Sequence, residues 1–347
     1  MLTRLRWLIG MSMAYLRDGS SALATAWNRF WFTSTDPTTL CLIRVLAGLM
    51  LFYTHAVWTL DLNAFFGEQS WLSREVIAQA NQGGYSWSLL NWCRSPAALW
   101  SMHVTALTTF ALLTIGLWTR WVSVLAFVFT VSYANRTPGA MYGLDQINGL
   151  LSLYLMVGPC GERFSVDAWR ARRSGRSIGS SSATANLAIR LMQCHLCVIY
   201  LFAGLSKLQG LSWWNGLAFW GGIANQEYQT LDLTWLADWP LVINSLTHLT
   251  VAFELSYGVL IWNRWTRPLV LLGATCLHLG IVFALGMPTF GLAMLIANAA
   301  FVSPAFIRTL VAGPGCSESN RSSTATIQAP HFDRGPNKRA AGRRLAK

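Results

Sequence analysis

Residues 186–207 read NLAIRLMQCHLCVIYLFAGLSK, an apolar run with one arginine near its start and a lysine at its end. A helix needs about 20 apolar residues to cross about 30 Å of hydrocarbon, so this run is long enough to span a bilayer. Its last residue is unusual for the chain. Lys207 is the sole lysine ahead of Lys338 and Lys347 near the C-terminus, and positive charge elsewhere is arginine. An ammonium group releases its proton when desolvated or crowded by other cations, whereas a guanidinium keeps it. Lys207 is therefore the candidate base. Composition alone gives equal weight to a plainer role, a lysine that snorkels from a helix end.

The surrounding composition sets the class. Hydrophobic residues make up 53% of the chain and charged residues 12%, with a mean hydropathy of +0.39. The expected fold is an all-α polytopic membrane bundle whose first partner is the lipid bilayer. A formal charge of +12 invites a nucleic-acid partner. The arginines, however, sit in the connections between apolar runs and in the tail, as topology signals do, so no nucleic-acid partner is expected. Eight spans are expected, over 38–60, 98–118, 120–136, 143–159, 186–206, 241–262, 267–286 and 288–304. Both termini then fall on the cytoplasmic side, together with Arg4, Arg6, Arg17, Arg29, Arg120, the arginines from Arg163 to Arg176, Arg264 and Arg267. The opposite side keeps Arg74, Arg94 and Arg136, diluted by acids such as Asp61, Glu68 and Asp232.

Three parts follow. Residues 1–35 read as a cytoplasmic, interfacial amphipathic segment, 36–305 as the transmembrane domain, and 306–347 as a basic, disordered cytoplasmic tail. Arg4, Arg6 and the apolar residues 7–16 imitate a signal peptide, but Arg17 and Asp18 interrupt the pattern before a cleavage site. Two segments on the non-cytoplasmic side, 61–97 and 211–223, are rich in aromatic residues. Each reads equally as a folded cover over a cavity or as an aromatic belt. In the second, Trp213 and Trp214 are candidate substrate contacts.

Seven cysteines are scattered among spans and connections, and Cys93 alone falls clearly outside, so no disulfide framework is expected. Cys194, His195 and Cys197 share one helix, where their spacing suits a tetrahedron poorly. No metal is expected.

Buried ionisable residues cost about 3 kcal/mol or more at the bilayer centre and normally face a partner or a cavity. Depth along the spans puts Arg44, Arg190 and Glu254 in the cytoplasmic half, where a structural ion-pair group is expected. Near the other end lie His55, His103, Asp145, Gln146, Lys207, His248 and His278. A lone histidine on an apolar helix is more often a packing residue than a catalyst. A lysine, histidines and an acid at one depth nevertheless supply a base, polarising donors and an orienting carboxylate facing an outward-opening cavity. Asp145, Gln146 and His248 are candidate substrate-binding residues on this reading.

The stretch Tyr200-Leu-Phe-Ala-Gly-Leu-Ser-Lys207-Leu, followed by Trp213-Trp-Asn-Gly216, resembles the signature of the HTTM (horizontally transferred transmembrane) domain, the membrane part of vitamin K-dependent gamma-carboxylase. So do Phe253-Glu-Leu-Ser256, Thr266-Arg-Pro268, His278 ahead of Phe283 and Gly286-Met287, and the shorter runs Thr114-Ile-Gly-Leu-Trp-Thr-Arg120 and Phe164-Ser-Val-Asp167. The resemblance covers most of 36–305 and implies a helical domain of the bacterial inner membrane. It implies that Lys207 deprotonates a reduced, vitamin K-like quinone and that His278 helps to hold its oxygen. Around Asp145-Gln-Ile-Asn-Gly149 the chain has an acid and amides where the carboxylase has a further active-site histidine. Neither a partner for Cys93 nor a large lumenal portion is expected, so the implied chemistry stops short of glutamate carboxylation. Other bacterial members are associated with the maturation of exported peptides, as in the sporulation-delaying system. That implies an alternative role with a peptide partner and an accessory subunit. A small-molecule carrier and a purely structural membrane protein are further alternatives.

Overall fold

A computed structural model describes residues 2–80 and 87–312, and over them the chain is helical. The helices are α1 (Leu2–Phe32), α2 (Thr38–Trp58), α3 (Leu62–Phe66), α4 (Arg74–Ala80), α5 (Pro96–Ile115), α6 (Thr119–Arg136), α7 (Gly143–Val157) and α8 (Val166–Arg173). They continue as α9 (Ala183–Lys207), α10 (Leu211–Trp214), α11 (Ala218–Ile223), α12 (Pro240–Leu260), α13 (Arg267–Ala284), α14 (Pro288–Asn298) and α15 (Pro304–Ala312). Tyr85 of the first aromatic segment, Cys316 and the tail from 313 onward lie outside the described residues.

A helix lies at each of the eight expected positions. Four are long and apolar enough to cross a membrane: Thr38–Phe66, Pro96–Ile115, Ala183–Lys207 and Arg267–Ala284. Counting Pro288–Phe301 with Pro304–Val311 as one span makes five. The helices α6, α7 and α12 are shorter or more polar. At the N-terminus, α1 runs unbroken through Arg17 and Asp18, and its end is tied to the start of α9. Asn186 donates to the carbonyls of Phe30 at 2.8 Å and Trp31 at 2.9 Å.

Two cores meet on α2. One side of it, with Leu40, Ile43, Ala47 and Met50, packs against α7, α9 and α14 in a cluster that continues through α12 and α13. Leu51 belongs to a second cluster with α3, α5 and α6. Local signals start and stop the helices as their chemistry dictates. Ser95 caps α5 by accepting from the Ala98 amide, Pro96 occupies the first turn, and Gly116 ends the helix in the left-handed region at φ 73°.

The runs 114–120 and 164–167 form a single knot. Asp167 accepts from the amides of Trp118 at 3.0 Å and Thr119 at 2.7 Å, and from the Thr119 hydroxyl at 2.7 Å. A carboxylate from the first turn of α8 thereby caps the start of α6, where free amides and the helix dipole favour negative charge. The fully buried Arg44 reaches into the same knot and donates to the Phe164 carbonyl.

This corrects the expected ion-pair group. Arg44 is held by a backbone carbonyl, and Arg190 lies over the rings of Phe30 at 4.4 Å and Trp262 at 5.6 Å while donating to Gln193 at 3.1 Å. Glu254 pairs with Lys207 instead. A guanidinium can donate to carbonyls and amide oxygens and lie over aromatic faces, so a buried arginine does not require a buried acid, although Arg44 Nε and Nη1 and Arg190 Nε have no hydrogen-bond partner among the described residues.

Candidate functional site: a lysine–glutamate pair on the α9–α12 seam

Tyr200, Gly204 and Lys207 recur at helical spacing and share one face of α9, opposite Val251, Glu254 and Tyr257 of α12. Gly204 is what lets the helices close. A Cβ placed there would lie 2.9 Å from Leu255 Cδ2 and 3.2 Å from its backbone nitrogen. At the end of α9, Lys207 Nζ is 2.9 Å from Glu254 Oε1 and 2.8 Å from Oε2. The lysine side chain is 22% exposed and the glutamate 8%, so the pair is shielded but reachable from the lysine side. The Trp213 ring centroid lies 5.2 Å from Nζ, within cation–π range.

A second polar network lies two turns along α9, about 10 Å from Lys207 by helical rise. Tyr257 donates to Asn298 Oδ1 at 2.7 Å, Asn298 donates to the Tyr200 hydroxyl at 3.1 Å, and Tyr200 lies 2.7 Å from His278 Nε2. The Tyr200 and Tyr257 rings stack with centroids 3.8 Å apart. One donor order sets the histidine tautomer. If Tyr200 accepts from Asn298 and passes its own proton on, His278 Nε2 is the acceptor and Nδ1 carries the hydrogen. That Nδ1 is buried and has no partner among the described residues. Such a group is costly to bury, and an oxygen acceptor on a bound molecule would satisfy it.

The remaining expected site residues do not join this group. Asp145 accepts from the Tyr142 amide at 3.1 Å, capping α7. With Gln146 it lines a separate cavity of about 420 Å³ between α6, α7 and α9, together with Gly149 and His195. His248 is exposed and lies 2.9 Å from the Asn244 carbonyl of its own helix. Trp214 is 62% exposed and donates to the Leu208 carbonyl at 2.7 Å, so only its neighbour Trp213 faces the lysine. His55 and His103 pack in the second core, where His103 bridges Thr59 at 2.9 Å and Tyr133 at 2.7 Å. Among the described residues, no group of three or more His, Cys, Asp or Glu is placed to hold a metal ion.

Sequence reading missed Tyr200, Tyr257 and Asn298. Tyr200 was recoverable, being seven residues before Lys207 and so on its face. Asn298 comes from a third helix, which no spacing reveals.

These features define a polytopic integral membrane protein built around a shielded lysine–carboxylate pair. The chain matches the HTTM domain model over residues 32–306 and belongs to that family. Comparison with curated proteins and with solved structures gives no match.

Proposed function

We propose that this HTTM-family protein performs base-initiated chemistry on a lipid-soluble hydroxyl compound of the reduced-quinone class. Lys207 and Glu254 move the proton, and His278 contacts an oxygen. The observation that carries the reading is the two-oxygen contact between Lys207 and Glu254 beneath Trp213. In its resting state the lysine is an ammonium held by a carboxylate, so it cannot itself accept a proton. Transfer of Nζ–H to Glu254 frees the amine, which then takes the proton of a hydroxyl placed against it. The net result is one proton moved to the glutamate, with the Lys207 ammonium facing the newly negative oxygen.

A reduced quinone fits the residues present. In the tautomer with hydrogen on Nδ1, His278 supplies a donor, and Phe290 packs against its ring at 6.1 Å. When bound, it would supply a weakly acidic hydroxyl and, on oxygenation, a strong base. Mass spectrometry of lipid-soluble molecules extracted from the purified protein is the direct test. Recovery of a quinone supports the proposal; its absence, with an exported peptide crosslinked to residues 211–223 instead, would favour the peptide-maturation reading with an accessory subunit.

The charge bias supports eight crossings with both termini in the bacterial cytoplasm. A Ser174→Cys variant is then expected to react with an impermeant thiol reagent only after cells are opened, and Trp71→Cys in intact cells. The reverse pattern would invert the orientation.

A further inference from the structure

At the end of the bundle that carries α8, a cavity of about 620 Å³ opens between the start of α6, the end of α7 and α8. Three arginines, Arg120, Arg170 and Arg176, line it together with two acids, Glu162 and Asp167. The acids are already engaged. Both Asp167 oxygens serve the α6 cap, and Glu162 Oε2 accepts from the Gly179 amide at 2.8 Å. Of the arginines, Arg120 donates to the Met156 carbonyl at 3.3 Å. Among the described residues, neither Arg170 nor Arg176 is paired with a carboxylate. Arginines outnumber acids three to two in the cavity lining, so its net charge is positive.

The sequence neighbours of these residues indicate the source of the missing anion. Trp118, Trp121 and Trp169 flank them and are 62%, 76% and 53% exposed. Amphipathic rings of this kind settle at headgroup level in a membrane protein. We infer that the cavity is a binding site for the phosphate of an anionic phospholipid, with Arg170 and Arg176 as its principal ligands and Arg120 closing the inner side. Guanidinium groups suit this task because their planar donors match phosphate oxygens in pairs. The site is separate from the Lys207–Glu254 pair and does not depend on what that pair does.

The test uses the full-length protein in nanodiscs of phosphatidylcholine containing a minor fraction of phosphatidylglycerol, with bound lipid counted by native mass spectrometry. The wild type is expected to retain phosphatidylglycerol selectively. Combining Arg170→Gln with Arg176→Gln is expected to lower that selectivity by about ten-fold or more, since each basic group near an anionic surface contributes about 1 kcal/mol, or about a factor of five. Arg264→Gln, which removes an arginine stacked 4.4 Å over Trp265 outside the cavity, is expected to leave it unchanged. Ala171→Trp obstructs the cavity while keeping all three arginines, and it too is expected to release the lipid. Unaltered selectivity in the double variant or in Ala171→Trp would overturn the site. Binding of inorganic phosphate in pure phosphatidylcholine nanodiscs, together with its displacement of phosphatidylglycerol in the mixed nanodiscs, would assign the cavity to a free anion and overturn the lipid.

Discussion

Lys207→Arg is expected to slow deprotonation of a hydroquinone by about a hundred-fold or more, the usual contribution of a positioned general base. The substitution keeps the positive charge and the attraction to Glu254, so a lysine that merely anchored a helix end would be replaced without loss. It removes the one property a base requires, because a guanidinium does not deprotonate in a protein. The measurement is the red-shifted absorbance of the deprotonated hydroquinone, followed anaerobically in nanodiscs. Glu254→Gln completes the comparison. The amide cannot receive the lysine proton, so the rate should fall similarly while the ligand still binds. Equal rates in Lys207→Arg and wild type would refute the base assignment.

Gly116→Ala is expected to prevent stable folding. Its Cβ would lie 1.9 Å from Arg44 Nη1 and 2.4 Å from Ser165 Cβ, at a φ of 73°. The left-handed backbone costs a side chain about 1–2 kcal/mol, and overpacking about 1–3 kcal/mol. Displacing Arg44 from the Phe164 carbonyl adds the loss of a buried hydrogen bond to a charged group, about 1.5–3 kcal/mol. Together these rival the whole stability of a typical domain. Size-exclusion chromatography of the detergent extract should show aggregate or no protein. Gly149→Ala provides the control, because a Cβ there meets nothing within 4 Å. A monodisperse Gly116→Ala protein with wild-type thermal stability would show that the knot is dispensable.

Much of this architecture was readable in the chain. Apolar runs separated by arginine-bearing connections marked the helices, and a solitary lysine marked the seam. The partner of Lys207 was not readable. Assigning depth from helix ends placed Glu254 with Arg44 and Arg190, on the premise that neighbouring helices begin and end level. They do not: Lys207 closes α9 yet meets Glu254 in the second half of the 21-residue α12. Arg44 was misread for a different reason. Its acceptor is a backbone carbonyl, which has no letter in a sequence.

The early end of α9 also accounts for the composition of its neighbour. Beyond Lys207 the chain turns through α10 and α11 alongside the first half of α12, and the irregular backbone there must find hydrogen bonds outside a regular helix. Thr247 supplies two of them, donating to the Gly216 carbonyl at 2.9 Å and accepting from the Phe219 amide at 3.1 Å, while Asn244 donates to the Asn215 carbonyl at 3.5 Å. The polar residues that make α12 a poor hydrophobic segment thus act as a built-in solvent for the broken helix beside it. Replacing them with leucine would make α12 look more like a membrane span and leave its neighbour's backbone unsolvated.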